Sequence, residues 1–262
     1  MSFISLDKLS RAFGSFVAFA DLSLEIEAGE FLSIVGPSGC GKSTLLQIMG
    51  ALMPPTSGEV RLGAKAVRAP PREMVYLFQQ YNRSLFPWRT VRRNVAFGLE
   101  RLGLSRKEID SKCSEYIELV GLKAFEHYLP HQLSGGMQQR VAVARALAYG
   151  ADVILMDEPF GSVDAQTRAG LQDLLLRLWQ ERRFTVLFVT HDIDEAIYVA
   201  RRILLLSPSP ATIRACFETK LPYPRHQLKT KETAEYLAYR RKIYSLLFPD
   251  ALDAQEPAAG CV

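Results

Sequence analysis

The sequence lacks an uninterrupted apolar run of the roughly 18–20 residues that a bilayer-spanning helix needs. Its opening stretch, residues 1–8, also lacks a basic segment followed by an apolar one, so we expect no secretory signal. Only four of the 262 residues are cysteines. They are scattered, with neither metal-ligand spacing nor a disulfide framework: Cys40, Cys113, Cys216 and Cys261. These absences favour a protein of the reducing cytosol.

The sequence also has no large excess of charge of one sign. Lysine and arginine number 32 against 28 aspartates and glutamates, which leaves a net charge of +4. This near balance gives no indication of a nucleic-acid partner, and we expect none. Hydrophobic residues make up 48% of the chain, which is enough to bury a sizeable core. The length allows one large α/β domain with an inserted subdomain and a tail.

The most informative stretch that is present runs over residues 36–44 and fits the pattern G-x-x-x-x-G-K-[ST]. An apolar run, Phe31–Val35, precedes it, and apolar residues at helical spacing follow it. Strand, glycine-rich loop and helix in this order are the context in which the pattern indicates a nucleoside triphosphate site. The residues of the loop are Gly36, Pro37, Ser38, Gly39, Cys40, Gly41, Lys42, Ser43 and Thr44.

Each residue type in this loop has a physical role toward phosphate. Glycines let the backbone curl so that its N–H groups surround an anion, and the positive end of the following helix adds to the attraction. Lys42 would neutralise the β- and γ-phosphates, and the Ser43 hydroxyl would hold Mg²⁺. A chance glycine-rich turn is the alternative, but it does not account for the flanking strand and helix.

The rest of the pattern predicts an α/β fold. Two N-terminal strands joined by a turn near Gly14 come first, and further apolar runs predict strands at 59–62, 74–78, 153–156, 185–190 and 203–206. Helical periodicity from Val91 to Leu122, together with the helix after Ser134, predicts an inserted α-helical subdomain. Strands that alternate with helices favour a parallel, doubly wound sheet with ligands at the carboxyl ends of the strands. After Pro208 we expect a proline-punctuated tail that ends in a basic amphipathic helix packed on its own domain.

Two further motifs carry chemistry. Asp157 and Glu158 end an apolar strand, where they are read either as a solvated turn or, after a phosphate loop, as metal holder and general base. The octet Leu133–Arg140 places Ser134 as a helix cap before two glycines that expose backbone N–H groups. An ordinary capped helix start explains Ser134 and Gly135 but not the whole octet.

This octet resembles the signature motif of the ATP-binding cassette ATPases, and the phosphate loop, Asp157-Glu158 and His191 occur in that family's order. The resemblance extends from about Ile4 to Leu206. It implies a P-loop NTPase fold with a RecA-like parallel-sheet core, an N-terminal antiparallel β part and an inserted α-helical subdomain. We expect an ATPase domain over residues 1–220, with the helical subdomain at about 84–148, and a short helical tail over 221–262.

The resemblance implies a role for each matching residue, with ATP and Mg²⁺ bound between two head-to-tail copies. Catalytic roles fall to Glu158 as the base, His191 as the γ-phosphate switch, Lys42, and Gln79, for which Gln80 is the neighbouring candidate. Mg²⁺ would be held by Ser43, Gln79 and Asp157. The nucleotide would contact all of residues Gly36 to Thr44, and its adenine would stack on Phe13. It would also contact Asp164, in the loop that crosses the dimer, and the signature residues of the partner copy: Ser134, Gly135 and Gly136. From spacing alone, without the resemblance, Phe13 is interpreted as an ordinary half-buried aromatic residue. The sequence departs from the family pattern at Val163, where the family more often has leucine.

A single cassette without membrane spans resembles the ATPase subunit of an importer. Residues Leu85–Val91 and the tail around Leu221–Arg225 resemble the nitrate/sulfonate/taurine/bicarbonate group. The expected partners are a second copy, permease subunits and, indirectly, a solute-binding protein, with the chain at the cytoplasmic face of the membrane. In this family the permease and the binding protein set the solute.

Two other functions stay open at the level of sequence. One is a soluble regulatory cassette whose nucleotide state controls a non-membrane partner. The other is a phosphate-loop kinase, in which the signature octet would have no role.

Overall fold

The fold is built on two β-sheets, which the computed structural model describes with their helices over residues 3–78, 84–161 and 163–249. The strands are β1 Ile4–Phe13, β2 Phe16–Ile26, β3 Phe31–Val35, β4 Ser57–Leu62, β5 Lys65–Ala66, β6 Met74–Leu77, β7 Val153–Asp157, β8 Thr185–Val189, β9 Arg202–Leu206 and β10 Ile213–Glu218. The helices are α1 Lys42–Met49, α2 Val91–Leu99, α3 Arg106–Leu119, α4 Gly135–Tyr149, α5 Ala165–Arg182, α6 Ile193–Val199 and α7 Ala234–Leu247.

The N-terminal sheet is antiparallel, in the order β2-β1-β4-β5. Buried and exposed residues alternate irregularly along its strands, because one face packs on the core and the other meets solvent. The sheet confirms the predicted antiparallel β part and its turn at Gly14.

The second sheet has six strands in the order β10-β9-β3-β8-β7-β6. Its strands from β9 to β6 pair in parallel, and β3, β7 and β8 are buried at every residue. Burial on both faces explains why these strands are continuous apolar runs in the sequence. The predicted parallel core is therefore confirmed.

The edge strand β10 was missed by the sequence analysis, which read the chain after Pro208 as a tail without a strand. β10 pairs antiparallel with β9, and most of its residues are exposed or half-buried. An edge strand of this kind carries no strong apolar pattern, because only one neighbour and one face stabilise it.

Apolar side chains fill both faces of the six-stranded sheet. One cluster lies between this sheet, the N-terminal sheet and α1. The other lies between the sheet and the remaining helices and holds Trp179, whose indole N–H donates to Gly29 O at 3.1 Å. The carboxyl ends of the parallel strands stay open at one edge, where the phosphate loop begins.

The helical periodicity predicted from Val91 to Leu122 is confirmed and corresponds to two helices, α2 and α3. They are separated by a turn, and Ser105 starts α3 with a reciprocal capping box to Glu108. Both pack with α4 over one side of the core. Among the described residues no helix combines the length and apolar character needed to cross a membrane.

Asn94 of α2 holds the loop that leads into this helical layer. It is completely buried, and its amide Nδ2 donates to the carbonyl oxygens of Phe86 at 3.2 Å, Arg89 at 2.9 Å and Thr90 at 3.1 Å. Its Oδ1 accepts from the Phe86 N–H at 2.9 Å. One side-chain amide thus satisfies the backbone hydrogen-bonding groups of a turn that has no regular structure of its own. Trp88, at the tip of this turn, is 72% exposed.

We expect the Asn94→Leu variant to lose about 3 kcal/mol of unfolding free energy, because it leaves several buried backbone groups without partners. Chemical denaturation would measure this loss. Arg93→Ala, on the exposed side of the same helix, is the control and should change the free energy by less than about 0.5 kcal/mol. Equal effects of the two substitutions would contradict the role given to Asn94.

Candidate active site

The candidate site lies where three neighbouring parallel strands end. In the sheet order β3-β8-β7, the phosphate loop follows β3, His191 lies two residues beyond β8, and Asp157 is the last residue of β7. Parallel pairing places the carboxyl ends of adjacent strands at the same edge, so residues far apart in sequence meet there.

The phosphate loop has the backbone that its glycines permit. Gly41 caps α1 with a φ of 94°, a left-handed conformation that side chains rarely adopt. A Cβ at Gly36 would lie 2.9 Å from Cys40 Sγ and 3.1 Å from the backbone of Leu206. Cys40 and Leu206 therefore fill the space beside the Gly36 backbone. The N–H groups at the start of α1 form the kind of cradle that binds phosphate.

Lys42 lies inside this loop. Its side chain is 6% exposed, and Nζ donates to the carbonyl oxygens of Gly36 at 2.8 Å and Pro37 at 2.9 Å. These carbonyls satisfy the buried ammonium and keep it inside the loop, whereas its predicted role toward phosphate stays a prediction.

Ser43 and Asp157 converge as the candidate metal ligands. Ser43 Oγ donates to Asp157 Oδ1 at 2.8 Å, which joins the phosphate loop to the end of β7. Burial raises the pKa of the Asp157 carboxyl, and hydrogen bonds from Ser43 and Tyr76 oppose this shift. A hydroxyl and a carboxylate that meet beside a phosphate cradle fit Mg²⁺, which prefers oxygen ligands and takes few from protein.

Tyr76 was not predicted to belong to the site. Its hydroxyl donates to Asp157 Oδ2 at 3.0 Å, so it orients the carboxylate from β6. Burial and the neighbouring Asp157 raise the pKa of Tyr76, which keeps the hydroxyl protonated as a donor. The only signal in the sequence is a tyrosine within a short apolar strand, which does not reveal its partner. Gln79, the third predicted metal ligand, lies outside the described residues, as does Gln80.

Glu158 and His191 face each other across the ends of β7 and β8. Glu158 Oε2 lies 3.3 Å from His191 Nδ1, and the His191 side chain is 61% exposed. The backbone of Glu158 is strained, with a φ of 44°, and its N–H donates to Val189 O at 2.9 Å. Strain of this type is maintained where surrounding structure holds a side chain in a required direction. The carboxylate can accept a proton from a water molecule, and the imidazole can contact an anion.

The signature residues begin α4 as predicted. Ser134 is the N-cap, and its Oγ accepts from the Met137 N–H at 3.4 Å. Gly135 and Gly136 form the first turn, which leaves backbone N–H groups at the helix start. Among the described residues no hydrogen bond joins these three to the phosphate loop.

Gly136 is in close contact with the start of α5. A Cβ at Gly136 would overlap Thr167 Cγ2, so the two could not occupy their places together. The Thr167 N–H donates to Asp164 Oδ1 at 3.0 Å, and this bond lowers the pKa of the Asp164 carboxyl. Asp164 is thus the N-cap of α5, and its helix packs directly on the signature turn.

Phe13 lies at the end of β1 with its ring 42% exposed. The Arg11 guanidinium lies 4.4 Å from the ring centroid. Phe13 therefore presents an aromatic ring at the surface, where a planar base can stack on it.

The chain is similar to known proteins over most of its length. A family model described as ABC transporter matches residues 19–161. The aliphatic sulfonates import ATP-binding protein of Bacillus cereus is 41% identical, with 92% of this chain and 94% of that protein covered. The nitrate import ATP-binding protein of Synechocystis is 42% identical, with 93% and 94% covered. A dimeric ATP-binding cassette bound to ADP and phosphate is 34% identical, with a TM-score of 0.70 over 82% of this chain and 98% of that one.

We expect Gly136→Ala to lower the unfolding free energy by about 1–3 kcal/mol, because the added methyl group overlaps Thr167. Adding Thr167→Ser removes the methyl group in question and should restore most of the loss, which thermal denaturation of the single and double variants would measure. Thr167→Ser alone is the control. A Gly136→Ala variant as stable as the parent, or one that Thr167→Ser does not rescue, would contradict the close packing of α4 on α5.

Proposed function

This chain belongs to the ABC transporter family of ATP-hydrolysing cassettes, and we propose that it is the ATPase subunit of an importer of the nitrate/sulfonate/taurine type. The single observation that carries the proposed chemistry is the convergence of two pairs at one sheet edge. Ser43 meets Asp157 at 2.8 Å, and Glu158 meets His191 at 3.3 Å. Ser43 and Asp157 suit the binding of a metal ion beside phosphate, and Glu158 and His191 suit the activation of water.

The bound ATP is proposed to lie with its triphosphate over the phosphate loop. Backbone N–H groups at the start of α1 would bind the phosphate oxygens, and Lys42 would move its ammonium from carbonyl partners to the β- and γ-phosphates. Bound Mg²⁺ would neutralise developing phosphate charge, with Ser43 and Asp157 as protein ligands and Gln79 as a further predicted one. Phe13 would stack on the adenine.

Glu158 is proposed to act as the general base. Its carboxylate would take a proton from the water that attacks the γ-phosphate, while His191 at 3.3 Å orients it and contacts the γ-phosphate. Phosphoryl transfer depends mainly on positioning and charge stabilisation, so fixed groups of this kind provide most of what the reaction needs.

A second copy is proposed to complete the site. The signature turn of one copy, Ser134 to Gly136, would bind the γ-phosphate held by the other, with Asp164 at the crossing between them. The exposed position of Ser134 and the likeness to a dimeric cassette with ADP and phosphate support this arrangement. Hydrolysis would then require closure of two copies, which makes ATP a source of motion.

The chain is proposed to work at the cytoplasmic face of the membrane on a separate permease. The names of the sulfonate and nitrate import relatives support this assignment. The permease and a solute-binding protein would select the solute.

We expect Glu158→Gln to lower ATP turnover at least about 100-fold, because the amide cannot accept the proton. The variant should accumulate as an ATP-bound dimer, measured by size-exclusion chromatography with ATP and Mg²⁺. Lys42→Ala is the control and should stay monomeric, since it loses affinity for the triphosphate. Parental turnover by Glu158→Gln would refute the assignment of the base, and a strictly monomeric ATP-loaded form would refute the composite site.

For the permease, we expect a membrane protein to accompany the tagged chain when it is purified in detergent from its own host. Mass spectrometry would identify the companion, and a purification without detergent is the matched control. Repeated recovery of soluble partners alone would instead support the regulatory cassette.

A further inference from the structure

The C-terminal segment, residues 219–247, is wrapped around α6, the short helix that begins two residues after His191. α6 has only seven residues, so its own hydrogen bonds stabilise it weakly. Its position, and with it the position of His191, therefore depends on what surrounds it.

Arg225 fixes the carboxyl end of α6. Its Nη1 donates to the carbonyl oxygens of Ile197 at 3.0 Å, Tyr198 at 2.6 Å and Ala200 at 2.9 Å. A buried guanidinium that satisfies three terminal carbonyls is a strong helix C-terminal anchor, because charge and helix dipole act together.

Two residues of α7 fix the start of the same helix. The Tyr236 hydroxyl donates to Asp194 O at 2.9 Å and approaches its Oδ1 at 3.2 Å. Arg240 pairs with Asp194 Oδ2 at 3.3 Å. α7 is therefore attached to the first turn of α6, next to the candidate switch histidine.

A continuous hydrogen-bond relay runs from the C-terminal segment to the residues on either side of His191. Gln227 Nε2 donates to Gln172 Oε1 at 3.1 Å, and Gln172 Nε2 donates to Glu195 Oε1 at 3.4 Å. Glu195 Oε2 accepts from the Thr190 hydroxyl at 2.7 Å, and Thr190 Oγ1 accepts from the Asp192 N–H at 3.0 Å. Gln172, Glu195 and Thr190 are buried, so these bonds are shielded from water.

α5 takes part in the relay as well. Gln172 belongs to α5, and Arg168, one turn earlier, lies 3.6 Å from both Asp192 Oδ2 and Glu195 Oε1. Because Asp164 is the N-cap of α5, the helix after the proposed dimer-crossing loop and the helix after His191 are joined by the same polar cluster.

We propose that the C-terminal segment is a positioning element for His191, with Gln227 acting through Gln172 and Glu195. The proposal rests on the function proposed above for His191. Packing of a tail on its domain would need only apolar contact, whereas here the tail ends a buried polar chain at the residues that flank the histidine. Gln227, Gln172 and Glu195 are positioning residues, since none of them is placed at the nucleotide.

The test is ATP turnover by Gln227→Leu, which keeps the size of the side chain and removes its hydrogen bonds. The variant loses the relay bond to Gln172 and also the Nε2 bonds to Ala169 O at 3.2 Å and Asp173 Oδ1 at 3.0 Å. We expect kcat to fall about fivefold with the KM for ATP changed less than about twofold, because the relay is broken while the phosphate loop is untouched. Leu228→Ala, with a parental side chain that is 66% exposed, is the neighbouring control and should leave kcat unchanged. Melting temperatures of all variants would be recorded alongside.

The double variant separates positioning from general destabilisation. In a His191→Ala background, Gln227→Leu should cause no further loss of kcat, because the residue that it positions is gone. The same fivefold loss in that background, or no loss in the parent, would overturn the proposal. Parental kcat by His191→Ala alone would instead refute the function proposed for the histidine.

If Gln227→Leu does not fold, Tyr236→Phe provides the same measurement from the other attachment. It removes only the hydroxyl bound to Asp194, so we expect a two- to fivefold fall in kcat at nearly constant KM, by roughly the same hydrogen-bond argument. This fall should also disappear in the His191→Ala background. An unchanged kcat, or a loss that persists without His191, would overturn the proposal.

Discussion

Parallel hydrogen bonding among β3, β8 and β7 is the constraint on which the rest of the structure depends. It aligns the ends of three strands, of which β3 precedes the other two by more than a hundred residues, so that the phosphate loop, Asp157 and His191 share one edge. The bond between Ser43 and Asp157 then joins two of these ends directly. Because all three strands are buried on both faces, none can shift without disturbing both apolar layers, and the site inherits that rigidity.

Two other elements of the candidate site are attached to the sheet differently. The signature turn begins α4 of the helical layer and contacts α5, where Gly136 lies against Thr167. His191 precedes a short helix, α6, which is anchored by the C-terminal segment and by the polar cluster around Glu195. A rigid cradle and two packed but separate elements form a sensible arrangement for a family in which hydrolysis accompanies closure, because helices that slide or rotate as units can switch between two packed states.

The regular elements and the local motifs could be predicted from the sequence. Side-chain contacts between residues distant in sequence, and a weakly patterned edge strand, could not. The buried strands were recognisable because burial on both faces demands continuous apolar residues. β10 was not predicted because an edge strand needs no such run, whereas the helical periodicity at 91–122 was recognisable and corresponds to α2 and α3. Tyr76 and Gln227 carry no local signal at all, since each matters only through a partner elsewhere in the chain.

By itself, the sequence determined the class of chemistry, because a phosphate loop and a capped glycine turn are local backbone structures that a few consecutive residues encode. Only the tertiary structure decided which side chains face one another: Asp157 against Ser43 and Tyr76, Glu158 against His191, and the C-terminal segment against α6. The physical reason is the separation in sequence between the residues that make contact. A turn or a cap is stabilised within one short segment, whereas these contacts exist only once strands and helices distant in sequence have packed into a common core.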